Sequence, residues 1–227
     1  MAKRGPKPKG NVKIEWSARF AYAIGLIASD GCLCGERHIA FVSKDLDQIE
    51  NFIGCLKISP KIGITQSGYN NNKAYRIQFG DVKFHSFLTS IGIGQAKSKN
   101  ISSVDVPDEF FFDFTRGLFD GDGSFYSYWD KRWRSSHMFY LEFVSASKRH
   151  IEWLRLKLSE HLAVSGHITG SELKGIYQLK YAKTEALEII QHMYYNRQVV
   201  SLSRKRIKIE KALAIEKIQQ EKYLLTK

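Results

Sequence analysis

No stretch of this 227-residue chain approaches the eighteen or so apolar residues that a membrane-spanning helix needs. The first ten residues, MAKRGPKPKG, also lack the apolar core of a secretory signal. An intracellular protein, cytoplasmic or organellar and without membrane association, is therefore expected. Cysteine is scarce and odd in number, three in all, and Cys32 and Cys34 stand one residue apart without the CxxC or Cys/His spacing of a zinc site. Reduced thiols are expected. Acidic residues are outnumbered, 23 against 35 Lys and Arg, for a formal charge of +12. Such an excess attracts a polyanion and releases its counterions on binding, which makes nucleic acid the leading partner. With 43% hydrophobic residues the chain can bury a real core.

What is present is a plan written twice. GLIASDG (Gly25 to Gly31) matches GLFDGDG (Gly117 to Gly123), 92 positions on. FVSKDLDQIENF from Phe41 matches FVSASKRHIEWL from Phe143, and YRIQF from Tyr75 falls on YQLKY from Tyr177, both 102 positions on. Each copy reads helix, hairpin, helix, hairpin, helix from its apolar periodicity and turn residues. In the first copy, 16–29 is helical and 38–42 alternates as a strand. An amphipathic helix follows over 43–56, a hairpin turns through SGYNNNK, and 80–93 closes as a helix. The second copy repeats this over 110–121, 124–145, 147–161, 165–181 and 182–195. The chain thus divides into a basic flexible arm (1–13), a first repeat (14–96), a linker (97–108), a second repeat (109–200) and a C-terminal helix (201–227). The last is expected to pack Ile207, Ile209, Leu213, Ile215 and Ile218 on the second repeat.

Small residues lie four apart in each repeated helix, Gly25 and Ser29, Gly117 and Gly121. Such pairs share one helix face and let two backbones approach closely, so the two helices are expected to cross there. Crossing would bring Asp30 beside Asp122 at two helix C-termini. Two carboxylates and two negative helix ends repel one another and attract cations. Hard Mg²⁺, which takes one or two carboxylates plus substrate phosphate, suits so sparse a site, and Mn²⁺ or Ca²⁺ is expected to substitute in binding. An EF-hand over Asp120 to Lys131 fails, since position six is Phe125 and position twelve Lys131.

These motifs, their spacing and the order of elements resemble the single-chain, two-repeat LAGLIDADG homing endonucleases, from about Trp16 to Lys208. The resemblance implies an α+β fold of two pseudo-symmetric αββαββα repeats whose antiparallel sheets form a DNA-binding saddle. It implies that Asp30 and Asp122, with Ser29 and Gly121 beside them, hold the metal. It further implies a catalytic basic residue after each repeat, here Lys97 and Lys205, with Lys99 and Arg204 as rivals. The sequence departs from the pattern at Ala28, where the second motif has Asp120.

Strand alternation assigns the sheet faces. Phe125, Phe139, Leu141, Phe143, Tyr75, Ile77, Phe79, Tyr177, Leu179 and Tyr181 face inward. Outward, toward DNA, go Arg76, Gln78, Tyr126, Tyr128, Asp130, Tyr140, Glu142, Gln178 and Lys180, with Arg37 and His38 on the first hairpin. Outward Arg and Gln suit base edges in a major groove, while Lys131, Arg132, Arg134 and Lys174 are expected on phosphates. The reading is a monomeric, metal-dependent endonuclease cutting both strands of a long asymmetric duplex site. The alternative is a protein of the same fold that does not cut, an intron-RNA maturase or a DNA-binding regulator.

Overall fold

A computed structural model describes residues 10–66, 73–133, 136–171, 173 and 175–225. The hairpin turn expected within 67–73 falls almost wholly outside the described residues, as do Arg134 and Lys174. The first repeat runs α1 (Ala18–Asp30), β1 (Gly31–Cys34), β2 (His38–Ser43), α2 (Leu46–Leu56), β3 (Gly63–Gln66), β4 (Lys73–Gly80) and α3 (Val82–Ser90). A short helix, α4 (Lys97–Asn100), lies in the joining segment. The second repeat runs α5 (Phe111–Asp122), β5 (Ser124–Trp129), β6 (His137–Ser145), α6 (Lys148–Leu162), β7 (His167–Ser171), β8 (Ile176–Ala182) and α7 (Lys183–Met193), and α8 (Ser203–Leu225) ends the chain.

The strands form two antiparallel four-stranded sheets of identical order, β1-β2-β4-β3 and β5-β6-β8-β7. Register repeats as well: Phe41 faces Ile77 and Ser43 faces Tyr75 in the first sheet, and Phe143 faces Leu179 and Ser145 faces Tyr177 in the second. The expected inward residues of these strands are buried or half-buried. A pleated strand puts alternate side chains on opposite faces, so one apolar row per sheet suffices to seat it on its helices.

Helices α1 and α5 are covered on nearly every side, with Phe20 through Ala28 buried in one and most of Phe111 through Asp120 in the other. Ser17 caps α1, its Oγ accepting from the Phe20 amide at 3.3 Å. The two helices cross where the small residues stand. A Cβ on Gly25 would lie 2.2 Å from the Phe114 carbonyl oxygen, and one on Gly117 would lie 2.2 Å from that of Tyr22.

Two sequence expectations meet a different arrangement. Of the arm expected over 1–13, residues 1–9 lie outside the described residues, and Asn11 and Val12 are pinned: both amides donate to Asp81 Oδ2, at 2.5 and 2.9 Å, while Asp81 Oδ1 caps α3 through the Phe84 amide. In α8 the buried stripe is Lys205, Ile209 and Ala212, whereas Ile207 and Ile218 are about half exposed. The helix turns a charged residue inward at Lys205, which displaces the apolar face that periodicity alone assigns.

Each repeat's trailing segment is held by the other repeat. Ile101 and Ser102, after the first repeat, offer their carbonyls to Ser147 Oγ and His150 Nδ1 at the start of α6. Ser201 to Arg204, after the second repeat, contact the start of α2: the Ser201 carbonyl accepts from Asn51, the Ser203 amide donates to Asp47 and Arg204 pairs with Asp45 at 2.9 Å.

Candidate functional site

The crossing of α1 and α5 brings their C-terminal ends together. A Cβ on Gly121 would fall 1.9 Å from Ser29 Oγ and 3.0 Å from Asp30 Oδ2, so only glycine fits there. Both helices end alike: Gly31 and Gly123 leave in extended conformation while their amides still bond Ile27 and Phe119 carbonyls. A side chain at either glycine would strike its own helix, at 2.7 Å from Ile27 Cα or 2.4 Å from Phe119 Cδ2. The glycine after each aspartate thus makes room for a turn tight against the helix end.

Asp30 and Asp122 end the two crossing helices, both within the field of Lys97 and Lys205. Burial and the Asp122 charge raise the Asp30 pKa to about 6, against the pull of Lys97 and Lys205. Asp122, which reaches solvent, is also raised, by the protein around it. Among the described residues neither carboxylate has a hydrogen bond or ion pair, and no cluster of three His, Cys, Asp or Glu side chains surrounds them. Two carboxylates free of hydrogen bonds, one at each of two packed helix ends, suit a divalent cation that completes its shell with water and phosphate.

Two lysines reach the same helix ends. Lys97 Nζ donates to the carbonyls of Ala28, at 2.9 Å, and Ser29. Lys205 Nζ donates to Phe119, Gly121 and Gly123 at 2.5, 3.0 and 2.6 Å. Both are buried, and burial lowers both pKa values, that of Lys205 to about 8. They answer the negative end of each helix dipole and satisfy carbonyls the helices leave open. An ammonium has three N–H donors. Lys205 uses all three and Lys97 two, so the ends are alike in plan and unequal in detail. The Ser29 and Gly121 carbonyls each accept a lysine N–H, and Ser29 Oγ turns back on the Gly25 and Leu26 carbonyls. Of the rivals, Arg204 is held by Asp45, and Lys99 is exposed on α4.

Asp120, which the sequence marks only as the residue opposite Ala28 in the second motif, has a structural part in the site. It is buried and joins three segments: Oδ2 accepts from Tyr22 Oη of the other repeat at 2.8 Å and from the Leu202 amide at 2.7 Å, and its carbonyl accepts from Gln48 Nε2 at 3.0 Å. Leu202 stands three residues before Lys205, so Asp120 helps place that lysine. Burial raises its pKa to about 6. The available signal was Tyr22, a polar tip within the apolar run FAYAIGLIA that must find a partner once buried.

The outward faces of the two sheets differ. On the first, Arg76 and Gln78 are exposed and bonded to each other at 2.8 Å, and Arg37 Nε donates to His38 Nε2 at 3.2 Å. On the second, Glu142 does not present itself to solvent as alternation suggested. It is 8% exposed, covered by Lys180 at 2.7 Å and by hydroxyls of Ser124 and Tyr126 at 2.9 and 3.2 Å. Alternation sets the side of a sheet, and a long neighbour can still close over it. Lys180 also lies against the rings of Tyr126 and Tyr140, and Tyr128 stacks on Tyr140. Gln178 is half-buried and accepts from Thr169 at 3.4 Å. Asp130 turns inward on its loop to cap the amides of Arg132 and Trp133, leaving Lys131 and Arg132 exposed.

The helix crossing and the two four-stranded sheets define the LAGLIDADG homing endonuclease fold. The LAGLIDADG homing endonuclease I-GzeII in complex with a DNA target superposes with a TM-score of 0.60 at 9% identity, over 90% of this chain and 92% of that one. Meganuclease I-SmaMI, bound to an uncleavable DNA, does so at 0.57 and 12%, over 87% and 91%. Full-length DUF199/WhiA from Thermatoga maritima does so at 0.59 and 16%, covering 93% of this chain, which spans 63% of the length of that protein. No protein-family model and no curated protein matches the chain. At such identities the likeness is one of fold. Among the described residues no helix is long and apolar enough to cross a membrane.

Proposed function

We propose that this protein binds duplex DNA along its two sheets and hydrolyses one phosphodiester on each strand at Asp30 and Asp122, using a divalent metal such as Mg²⁺. The observation that carries this reading is the pair of carboxylates, free of hydrogen bonds and ion pairs among the described residues, at two packed helix ends that two buried lysines also reach. Asp30 and Asp122 are the residues that would hold the metal. When bound, such an ion supplies charge neutralisation at phosphate and a more acidic water. The chain's own part is to hold the acids together through Gly25, Gly117 and Gly121, and to offer the remaining Lys97 N–H toward a phosphate oxygen. Support for DNA as partner comes from the +12 charge and from structural neighbours bound to DNA targets.

A second reading, a duplex binder that does not cut, is favoured by Lys205. Its three donors are all engaged, so it has none left for phosphate unless a helix cap opens. Incubation with a randomised plasmid library and Mg²⁺ separates the readings. Double-strand breaks that vanish in Asp30→Asn and Asp122→Asn, with duplex affinity retained, support cleavage. Tight duplex binding without breaks supports the binder, and preference for a structured intron RNA would favour a maturase.

A further inference from the structure

Cys32 and Cys34 are both exposed, and their sulfurs lie 3.4 Å apart. They are the only exposed thiols, since the third cysteine, Cys55, is buried in α2. Strand alternation explains the contact. Positions i and i+2 of β1 share a face, and Gly31 and Leu33 are buried while the cysteines point out. Partner residues in the register place the pair in rows with Ala40 and Gln78 and with His38 and Gly80. The dithiol therefore borders the outward face that carries Arg76, Gln78 and His38, and it begins two residues beyond Asp30.

We propose that this pair is a redox-responsive site, closed to an intrastrand disulfide by hydrogen peroxide, and that closure weakens duplex binding by the first sheet. One thiolate attacks the peroxide O–O bond, becoming a sulfenic acid and releasing water. The second sulfur attacks the first, forming the S–S bond and releasing a second water. The two sulfurs together lose two electrons and the peroxide gains them. A small dithiol reverses the step by exchange and is itself oxidised.

Geometry couples the bond to the sheet. An extended strand sets i and i+2 Cα atoms about 6.8 Å apart, the upper end of the roughly 4.4–6.8 Å that disulfides span. Bringing sulfurs from 3.4 Å to bonding distance therefore requires β1 to shorten or pucker. The strand can do so: it lies at the edge of its sheet, pairs among the described residues only with β2, and is followed by Gly35, which adopts a positive φ of 58°. Cross-links that strain their frame are the readily reduced ones, as a reversible site requires.

The duplex half of this inference rests on the proposed DNA-binding surface, and the thiol half stands alone. Peroxide-treated full-length protein should be lighter by two hydrogens and, once denatured, should take up one maleimide, at Cys55, where the reduced protein takes up three. Dithiothreitol should restore all three thiols, and Cys32→Ser should form no intramolecular disulfide. Three thiols surviving in the wild type, or their loss only to sulfinic acid or to cross-linked dimers, would overturn the site. Fluorescence anisotropy with a mixed-sequence duplex should show several-fold weaker binding after oxidation, reversed by dithiothreitol and absent in Cys32→Ser. Equal affinity of the two forms would overturn the coupling. A reduced protein that ignores duplex altogether would overturn the coupling together with the surface it rests on, leaving the thiol count to decide the disulfide.

Discussion

The Tyr22 hydroxyl donates to Asp120 Oδ2 at 2.8 Å across the crossing of the two repeats, and among the described residues no other side chain bonds that oxygen. Its removal leaves a buried carboxylate with one donor where it had two. Tyr22→Phe should lower unfolding free energy by about 1–2 kcal/mol in urea titration. An unchanged midpoint would show that the bond is replaceable by water.

Stability should depend on pH in two limbs. Asp30 and Asp120 have folded pKa values raised to about 6 from 3.8. The folded state holds these protons more tightly, so their contribution is full below pH 3.8 and is lost as pH rises through 6. Lys205 is lowered to about 8 from 10.5, so the folded state binds its proton less tightly and stability recovers above pH 8. The melting temperature should therefore pass through a minimum between these limbs. Asp30→Asn should flatten the lower limb and raise stability at neutral pH by roughly 1–3 kcal/mol. Mg²⁺ should raise the wild-type melting temperature and leave that of Asp30→Asn in place.

The two lysines should separate under mutation. Lys205→Met takes the ammonium from the Phe119, Gly121 and Gly123 carbonyls, of which Phe119 keeps the Gly123 amide, and should cost about 2–4 kcal/mol of stability. Lys97→Met loses two such bonds and should cost less, while abolishing strand cleavage if the remaining N–H serves phosphate. Parallel denaturation and cleavage assays read both; the reverse ranking would misassign them.

Gly25→Ala forces a methyl to within 2.2 Å of the Phe114 carbonyl and should destabilise by about 3 kcal/mol or more, because both backbones must separate. Gly54→Ala, exposed in α2 with nothing near its Cβ direction, should instead stabilise by about 0.5–1 kcal/mol. Thermal melts of the two variants should move in opposite directions.

Glu142 holds Lys180, raising the ammonium's pKa, and keeps its charge from the surface. Glu142→Gln should release that charge, tightening binding to mixed-sequence duplex several-fold at low salt and steepening the fall of affinity with added salt. A salt slope equal to the wild type's would place Lys180 outside the DNA surface.

The crossing was legible because close backbone approach requires small residues, and Gly25, Ser29, Gly117 and Gly121 place them four apart in both helices. The sheets were legible because Phe41, Phe143 and their neighbours alternate. Glu142 was not, since its partner depends on which long side chain of the adjacent strand folds over it. Nor was the engagement of Lys97 and Lys205, whose acceptors are main-chain oxygens and leave no trace in residue type. Asp120 lay in plain view beside Asp122, but its ties to Tyr22 and Leu202 span 98 and 82 positions.

The exchanged trailing segments mean that neither half is self-sufficient. A polypeptide ending after the first half would leave Asp45, Asp47 and Asn51 without the chain that occupies them, and the second half alone would lack the acceptors for Ser147 and His150. Each is thus the other's missing piece. Severed and co-expressed, the two should reunite as complementary fragments, and cooperative unfolding should engage both at once.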